Sequence, residues 1–352
     1  MLREKARTFV GRLRDRSVYI TFTLTHVLEI LRHQDKSVIR DRLMFLRALP
    51  FIAWLRPYDR NWFPGGAPDL LRRELHAVVH DAKRDWRAIV EHVRTDVWET
   101  GLGSEVFVDD DRLWSVLRTE AQHQQRSYQY VASIARTDPG NINDLTLAEA
   151  KQLPKRTKAE RAVYMRRFAA TMKVQLEQHG DRRLEDPHEA AAAFANGTLN
   201  DADLFEAAGG DPTERMLEYR GVPQDLVTDD MTVGEIGELA VYIRQLTLLS
   251  KDLHPRAVVT VHDVPPETLP SYVIEHRLAK TQRKATRVSG SDLGDGDIAP
   301  LVLYADGVEV DKRTYEYLTQ VQRICPAIGG LIGHFFRSTD YAEIPDRCGG
   351  AA

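Results

Sequence analysis

Five aspartates crowd the segment from Gly290 to Leu318, on both sides of an apolar run. They are Asp292, Asp295, Asp297, Asp306 and Asp311, and the last is followed directly by Lys312 and Arg313. Carboxylates held close together repel one another and lose hydration energy unless a cation or hydrogen-bond donors compensate them. The pattern therefore predicts either a solvated turn or a binding site for a metal ion.

The spacing of these acids favours a magnesium or manganese site over a calcium loop. An EF-hand loop needs glycine at its sixth position and glutamate at its twelfth, and neither Asp292 nor Asp295 begins such a series. If DLGDGDIAPLVLYA opens a helix, these two aspartates lie three residues apart on its first turn. The following DGVEV predicts a short parallel strand that ends beside Asp311, at the sheet edge where α/β proteins bind ligands. Oxygen ligands at that edge suit Mg²⁺ or Mn²⁺.

The elements that must position these acids lie at the two ends of the chain. Near the N-terminus, SVYITFTLTHVLEILRHQ predicts a strand over 18–23 and then a helix that carries Thr25 and Glu29, and a second helix follows over 37–49. Near the C-terminus, the patterns predict a β-like AVVTVHDV, a helix in PETLPSYVIEHRLAKTQRKAT, the strand GVEV, a helix in RTYEYLTQVQRI and a final strand in GGLIGHFFRS.

Between these ends the sequence predicts helices almost exclusively. Capping boxes pair Thr146 with Glu149, Thr157 with Glu160 and Thr232 with Glu235, Asp186-Pro187 and Asp211-Pro212 predict further helix starts, and Gly197 and Gly221 predict helix ends. We therefore expect an α/β core made of residues 1–60 and 258–345, an all-helical insertion over 61–257, and a disordered tail over 346–352. An all-helical N-terminal domain followed by a small α/β domain is the alternative.

Composition excludes several classes of protein. The 352 residues are 43% hydrophobic, which is enough for a core, and the formal net charge of -4 gives no general attraction to nucleic acid. No apolar run is long enough to span a membrane, and two cysteines are too few for a zinc or disulfide framework. We expect a cytoplasmic protein without a membrane segment.

The order of these motifs resembles that of PIN-domain nucleases, particularly the longer PIN-like proteins with helical insertions. The resemblance rests on a β-run leading to THVLEIL, then a helix and LP followed by tryptophan, and much later SDLGDGDI and YADGVEVDKRT. It implies a three-layer α/β/α core with a short parallel sheet and a metal-dependent endoribonuclease that hydrolyses RNA phosphodiester bonds. Glu29, Asp295 (or its neighbour Asp292) and Asp311 would then be the catalytic acids, and Glu29, Asp295 and Asp311 would hold Mg²⁺ or Mn²⁺.

The sequence departs from the family at its first ligand, an aspartate at the end of strand one. No apolar strand ending in aspartate precedes Glu29, and Asp15 lies in the charged turn RLRDRS. The resemblance therefore implies a chain without the family's first strand. Two alternatives follow, which are a catalytically degenerate PIN-like module that binds RNA or protein, and a helical interaction scaffold whose aspartates are surface caps.

Basic side chains near these acids make RNA the expected partner. Lys312 and Arg313 would contact a nucleic-acid backbone, and Thr25 would orient water or a phosphate. Arg277, Lys280 and Lys284 share one face of the helix that precedes the aspartates, although ordinary solvated helix faces show the same pattern. A homodimer or a protein partner bound through the helical insertion is the other expectation.

His76 and His80 have the spacing of a shared metal site on one helix face. The first histidine is not followed by the glutamate of the zinc-protease signature, and the helix carries the apolar stripe of a packed element. We interpret both as structural histidines.

Overall fold

Helices dominate the chain, and short strands form two separate small sheets. The computed structural model describes residues 2–59, 64–134, 142–154, 156–181, 183–209, 211–283, 294 and 296–348. The helices are α1 (Leu2–Asp15), α2 (Leu24–Leu31), α3 (Lys36–Arg47), α4 (Ala67–Val79), α5 (Trp86–Arg94), α6 (Gly103–Val106), α7 (Asp111–Ile134), α8 (Leu147–Lys151), α9 (Lys158–His179), α10 (Pro187–Ala208), α11 (Pro212–Tyr219), α12 (Val233–Lys251), α13 (Pro270–Arg283), α14 (Lys312–Ile324), α15 (Pro326–Gly329) and α16 (Ile344–Cys348). The strands are β1 (Thr21–Phe22), β2 (Ile52–Leu55), β3 (Trp98–Gly101), β4 (Gly307–Glu309) and β5 (His334–Phe336), and a 3-10 turn covers Ala299–Leu303.

Strand β2 is the centre of the first sheet. It pairs parallel with β1, where Phe22 lies opposite Trp54, and antiparallel with β3, where Glu99 lies opposite Trp54. All four β2 residues are buried, because Ile52 and Trp54 pack with α2 and α3 while Leu55 packs with α4 on the other face. A strand buried on both faces has a continuous apolar sequence without alternation. For this reason β2 was not predicted from the sequence pattern of FIAWL.

The second sheet contains β4 and β5, paired parallel with Val308 opposite Phe335. The predicted helix-rich α/β character is confirmed, and so are the strands in GVEV and GGLIGHFFRS. The single parallel sheet is not found, because the first sheet is mixed and the strands from the two ends of the chain lie in different sheets. Each parallel pair is instead a local unit with its own helical crossover, which parallel pairing requires.

The main hydrophobic core crosses the predicted domain boundaries. Helices α4, α5 and α12 pack in one cluster with α13, α14 and the 299–303 turn. The buried residues that these elements share include Leu71, Leu75, Ile89, Val93, Leu246, Leu249, Ile274, Leu278, Leu303, Leu318 and Val321. In addition, β3 lies inside the segment 61–257 that we expected to be all helical. The boundary was misplaced because an apolar helix face shows that a helix is packed without showing which element it packs against.

Helices α9 and α10 form a hairpin with a small core of its own, in which Met172 and Leu176 pack against Ala190 and Ala191. The three predicted capping boxes are confirmed at α8, α9 and α12. Asp211 caps α11 as predicted, and Gly221 follows that helix with φ +68. The predicted stop at Gly197 is wrong, because α10 continues to Ala208. A glycine alone weakens a helix by only about 1 kcal/mol, so neighbouring helix formers can carry the chain through it.

The two ends of the chain contact each other through ion pairs and an aromatic pair. Arg12 on α1 and Arg16, just after that helix, contact the carboxylate of Asp346 at 3.2 and 2.7 Å. Phe9 packs edge-to-face on Tyr341 with ring centroids 5.4 Å apart. The prediction of a disordered tail from residue 346 is therefore wrong as far as Cys348, where α16 ends. Residues 349–352 lie outside the described part of the chain.

The predicted strand AVVTVHDV is not formed; described residues 252–265 contain turns and extended chain without a ladder. Val259, Val261 and Val264 are buried, whereas Val258 is 95% exposed. Val259, Val261 and Val264 thus attach this segment to the core through their side chains. A segment of high β-propensity that has no partner strand does not form a sheet.

No helix within the described residues combines the length and apolarity needed to cross a membrane.

A fully buried carboxyl group joins three parts of the main core. Glu74 of α4 accepts the backbone N–H of Ser271, at the start of α13, at 3.0 Å, and it accepts the hydroxyl hydrogen of Tyr304. Burial raises the pKa of Glu74 to about 7, while the hydrogen bonds from Ser271 and Tyr304 oppose that rise. Nearby, the Arg94 Nε–H donates to the carbonyl oxygen of Leu303 at 2.8 Å. Helix α4, helix α13 and the 299–304 segment are therefore fixed relative to one another.

Replacing Glu74 with glutamine is expected to flatten the pH dependence of stability. The folded chain keeps a proton on Glu74 up to about pH 7, whereas the unfolded chain releases it near 4.5. This contribution is complete below 4.5 and is lost as the pH rises through 7. Between these pH values the free energy of unfolding, measured by urea denaturation, should fall by roughly 3 kcal/mol more for the wild type than for Glu74→Gln.

The matched control is Glu120→Gln, which changes an exposed glutamate of α7 and should keep the wild-type pH slope. Equal slopes in the wild type and Glu74→Gln would contradict the protonation assigned to the buried carboxyl group.

Candidate active site

The start of α2 is fixed by a histidine that acts as a cap. The backbone N–H of Thr23, the N-cap residue, donates to His26 Nδ1 at 3.1 Å, and Thr23 Oγ1 lies 2.8 Å from the same nitrogen. Burial lowers the pKa of His26 to about 4, so the ring is neutral and Nδ1 accepts. His26 therefore holds the first turn of α2, and Glu29 projects one turn later.

Glu29 lies where α2 meets the segment around Gly294. A methyl group placed on Gly294 would come within 3.4 Å of Glu29 Oε1 and 3.9 Å of Arg32 Nη1. Burial raises the pKa of Glu29, Arg32 lowers it, and Asp297 raises it again. Glu29 thus lies beside Gly294 and within range of the charge of Asp297, whereas the predicted ligands Asp292 and Asp295 lie outside the described residues.

Asp297 is the carboxylate around which this site is arranged. The Tyr128 hydroxyl donates to Asp297 Oδ2 at 2.5 Å, and Gln124 Nε2 donates to that hydroxyl oxygen at 2.9 Å. Arg32 Nη2 donates to Gln124 Oε1 at 2.8 Å, and the guanidinium carbon lies 5.5 Å from the Tyr128 ring centroid. Burial raises the pKa of Asp297, while the bond from Tyr128 and the charge of Arg32 lower it.

A third carboxyl group, that of Glu275 on α13, lies near enough to Asp297 to be affected by its charge. Burial, and to a smaller extent the charge of Asp297, raise the pKa of Glu275 to about 7. Asp297 likewise raises the pKa of Glu29, so each glutamate interacts with Asp297, and we call Glu29, Glu275 and Asp297 the carboxylate cluster. Groups in this state either share protons near neutral pH or require a cation beside them.

The donor set of the carboxylate cluster suits a hard divalent cation. Its side chains offer only oxygen atoms, which are the ligands that Mg²⁺ and Mn²⁺ prefer, and burial is the largest cause of the raised pKa of each of the three acids. Within the described residues, no group of three or more acidic, histidine or cysteine side chains is placed to hold a metal ion. The type of donor therefore suits Mg²⁺ or Mn²⁺, whereas the spacing of the described side chains does not form a metal site.

Asp311 has a different role from the one that the sequence suggested. It follows β4 as predicted, but β4 belongs to the second sheet, and Asp311 Oδ1 accepts the Thr314 N–H at 2.7 Å as the N-cap of α14. It makes no contact with the carboxylate cluster within the described part of the chain. Asp292, Asp295 and Lys284 lie outside the described residues.

The predicted substrate-binding residues are divided between two regions. Thr25 is buried on α2, so its hydroxyl group is not offered to solvent. Arg277 is exposed on α13, two residues after Glu275, and Lys280 Nζ lies 3.3 Å from Glu238. Lys312 and Arg313 begin α14 beside Asp311.

The histidine pair on α4 lies in a network of its own. The rings of His76 and His80 are 4.7 Å apart, and Asp81 lies 3.3 Å from His76 Nδ1 and 3.1 Å from His92 Nε2. These contacts agree with the structural interpretation of the pair.

Sequence reasoning missed Asp297 and Glu275 as site residues. Asp297 lies two residues after Asp295 in the stretch that attracted attention, but the helical spacing favoured its neighbours. Glu275 stands alone among the apolar residues of YVIEHRL, and an acid at such a position was the available signal. Arg32 and Tyr128 carried no signal of their own, since only the fold brings α7 beside α2.

Removing the Tyr128 hydroxyl is expected to destabilise the chain. Tyr128→Phe leaves Asp297 without its donor, and losing a hydrogen bond to a charged group costs about 1.5–3 kcal/mol. The free energy of unfolding from urea denaturation above neutral pH should fall by that amount. Asp297→Asn should cost less, because its amide oxygen still accepts from Tyr128 and the repulsion from Glu29 and Glu275 disappears.

Tyr130→Phe, two residues further along α7, is the control for the loss of a phenol oxygen. Equal losses in Tyr128→Phe and Tyr130→Phe would mean that the contact with Asp297 adds nothing to stability.

No protein-family model matches this chain, and no curated protein or solved structure shows significant similarity to it.

Proposed function

We propose that the chain is a metal-dependent endoribonuclease of the PIN-like kind and that the carboxylate cluster is its active site. One observation supports this most: Glu29 of α2 and Glu275 of α13 both lie close enough to Asp297 for its charge to raise their pKa, and burial raises the pKa of all three acids. A purely structural role gives no reason to keep such a set, because repulsion and desolvation both oppose it. Perturbed carboxyl groups of this kind are typical of functional sites.

The PIN-like assignment itself draws on the arrangement around Glu29. The β1–α2–α3–β2 unit places this glutamate in the first helix after a short strand, and Gly294 lies against it. The resemblance implies that an early glutamate and late aspartates meet, and the position of Gly294 and Asp297 near Glu29 supports that part of the proposal. The cytoplasm, expected from the low cysteine content, is the compartment that we propose.

Glu29 and Asp297 are the residues that would hold Mg²⁺ or Mn²⁺. When bound, the cation supplies Lewis-acid stabilisation of the negative charge that develops on the phosphate. Tyr128 orients Asp297 through its 2.5 Å hydrogen bond, so that one carboxylate oxygen stays fixed and the other remains available.

Glu275 has the proton affinity that a general base or acid needs at neutral pH. With a pKa of about 7, it is half protonated there and can accept a proton from water or return one to a leaving oxygen. Arg32, already beside Glu29 and Asp297, can contact a phosphate oxygen, and the exposed Arg277 lies two residues from Glu275 for the RNA backbone.

A degenerate module that binds RNA or protein without cutting is the second candidate. Arg32 favours it, because a guanidinium group that compensates Glu29 and Asp297 takes over part of the task of a metal ion. Asp311, which the resemblance makes a ligand, caps a helix instead. In that case a protein partner or a second copy of the chain would dock on the helical part, α7 to α12.

The deciding experiment is cleavage of single-stranded RNA by the full chain with Mg²⁺ or Mn²⁺. Asp297→Asn and Glu275→Gln should each lower the rate at least about a hundredfold, as expected for loss of a ligand or a proton-transfer group. The wild-type rate should rise with pH up to about 7 and then level, because Glu275 must be ionised to accept a proton. Glu275→Gln should lose this pH dependence.

Glu189→Gln, an exposed change on α10, is the matched control and should cut at the wild-type rate. Cleavage that survives in Asp297→Asn would refute the assignment of the site. Absence of cutting by the wild type, with RNA still bound, would establish the degenerate module instead.

A further inference from the structure

A pocket lies at the open edge of the β4–β5 sheet. It has a volume of about 670 Å³ and lies between β5, the start of α14 and the C-terminal helix α16. Pockets of 300–1,000 Å³ hold small ligands. Within the described residues β5 pairs with β4 only, so one long side of this strand is not covered by another strand.

Aromatic rings form the wall of this pocket. The His334 ring stacks on Phe336 with centroids 5.2 Å apart and planes 24° apart, and Phe336 is buried beneath it. Tyr315, which is 38% exposed, packs on Phe335 at 5.1 Å. His334 is exposed and held from below by its neighbour, so its outer face can accept another flat ring.

Positive charge surrounds the same opening. Arg337 and Arg347 line the pocket and are exposed, and Arg347 Nη2 lies 3.4 Å from Glu343 Oε2. Among the described lining residues the one acid, Asp346, is paired with Arg12 at 3.2 Å and with Arg16, just after α1, at 2.7 Å, so its charge is compensated. Arginine fits phosphate by donating two parallel hydrogen bonds.

A flat ring platform beside arginines matches one chemical class of ligand, a planar base that carries a phosphate. We propose that this pocket binds a nucleotide unit of single-stranded RNA, with the base stacked on His334 and the phosphate held by Arg337 and Arg347. The polymer is taken from the proposed ribonuclease function, whereas the ring and phosphate contacts depend on the pocket alone. Single-strand binding proteins combine these same two elements.

The test measures binding apart from cleavage. Fluorescence anisotropy of a labelled oligouridine is followed with the full chain in EDTA, so that no cutting occurs. His334→Ala should weaken binding about tenfold or more, as loss of a stacking ring does. Arg337→Gln and Arg347→Gln should each weaken binding and lower the steepness of its salt dependence by about one charge.

Three controls separate this pocket from other sources of binding. Arg323→Gln, an exposed change on α14 outside the pocket, should bind as the wild type does. Glu189→Gln, an exposed change on α10, should also bind as the wild type does, and EDTA keeps cleavage at the carboxylate cluster out of the measurement. Circular dichroism melts confirm that each variant remains folded.

Unchanged affinity in His334→Ala and Arg337→Gln would overturn the proposal. Equal binding of a perfect RNA duplex would also overturn it, because paired bases cannot stack on His334. Binding of free uridine monophosphate without binding of the oligouridine would refute a polymer ligand. If the wild type binds oligouridine through these residues and never cuts it, the pocket stands and the ribonuclease function fails.

Discussion

The buried carboxyl group of Glu74 is the constraint on which the main core depends. An unpaired charge there would cost several kcal/mol, so the chain must keep the group protonated or surround it with donors. The structure does both, with a pKa near 7 and bonds from Ser271 and Tyr304. Because those donors come from separate elements, their positions relative to α4 are fixed. Both elements lead to the carboxylate cluster, since Glu275 follows Ser271 on α13 and Asp297 precedes the 299–304 segment.

The charges of the carboxylate cluster are compensated differently from that of Glu74. The two glutamates lie within range of the charge of Asp297, and among the described residues Arg32 and the phenol of Tyr128 compensate Asp297. Burial is the largest cause of the raised pKa values, and the charge of Asp297 adds to it for Glu29 and Glu275. Such a site responds strongly to whatever enters it, because a proton, a cation or an arginine donor each relieves the same repulsion. That response links the geometry to the metal-dependent chemistry that we propose, and it is also why Arg32 supports the non-catalytic candidate.

The contacts between the two ends of the chain connect the second sheet to the N-terminal helix. Arg12 and Arg16 hold Asp346 on α16, and that helix closes one side of the aromatic pocket beside β5. Exposed ion pairs contribute little stability individually, so the edge-to-face contact of Phe9 with Tyr341 supplies much of the attachment. The pocket and the carboxylate cluster therefore rest on separate supports, α1 with α16 for one and α13 with α7 for the other.

Local sequence determined those features whose partners lie within one turn. Capping boxes at Thr146, Thr157 and Thr232 and the N-cap at Asp211 were readable because each bond joins residues two or three positions apart. The strands in GVEV and GGLIGHFFRS were also predicted from the local pattern.

Tertiary structure alone decided what pairs with what. FIAWL became the central strand because it found β1 and β3 as partners, whereas AVVTVHDV found none and stayed extended. Asp311 became a cap and Asp297 a member of the cluster because burial and approach depend on elements far apart in the chain. The physical reason is range: a hydrogen bond within one turn depends on neighbouring residues only, but burial, repulsion and strand pairing depend on the whole fold.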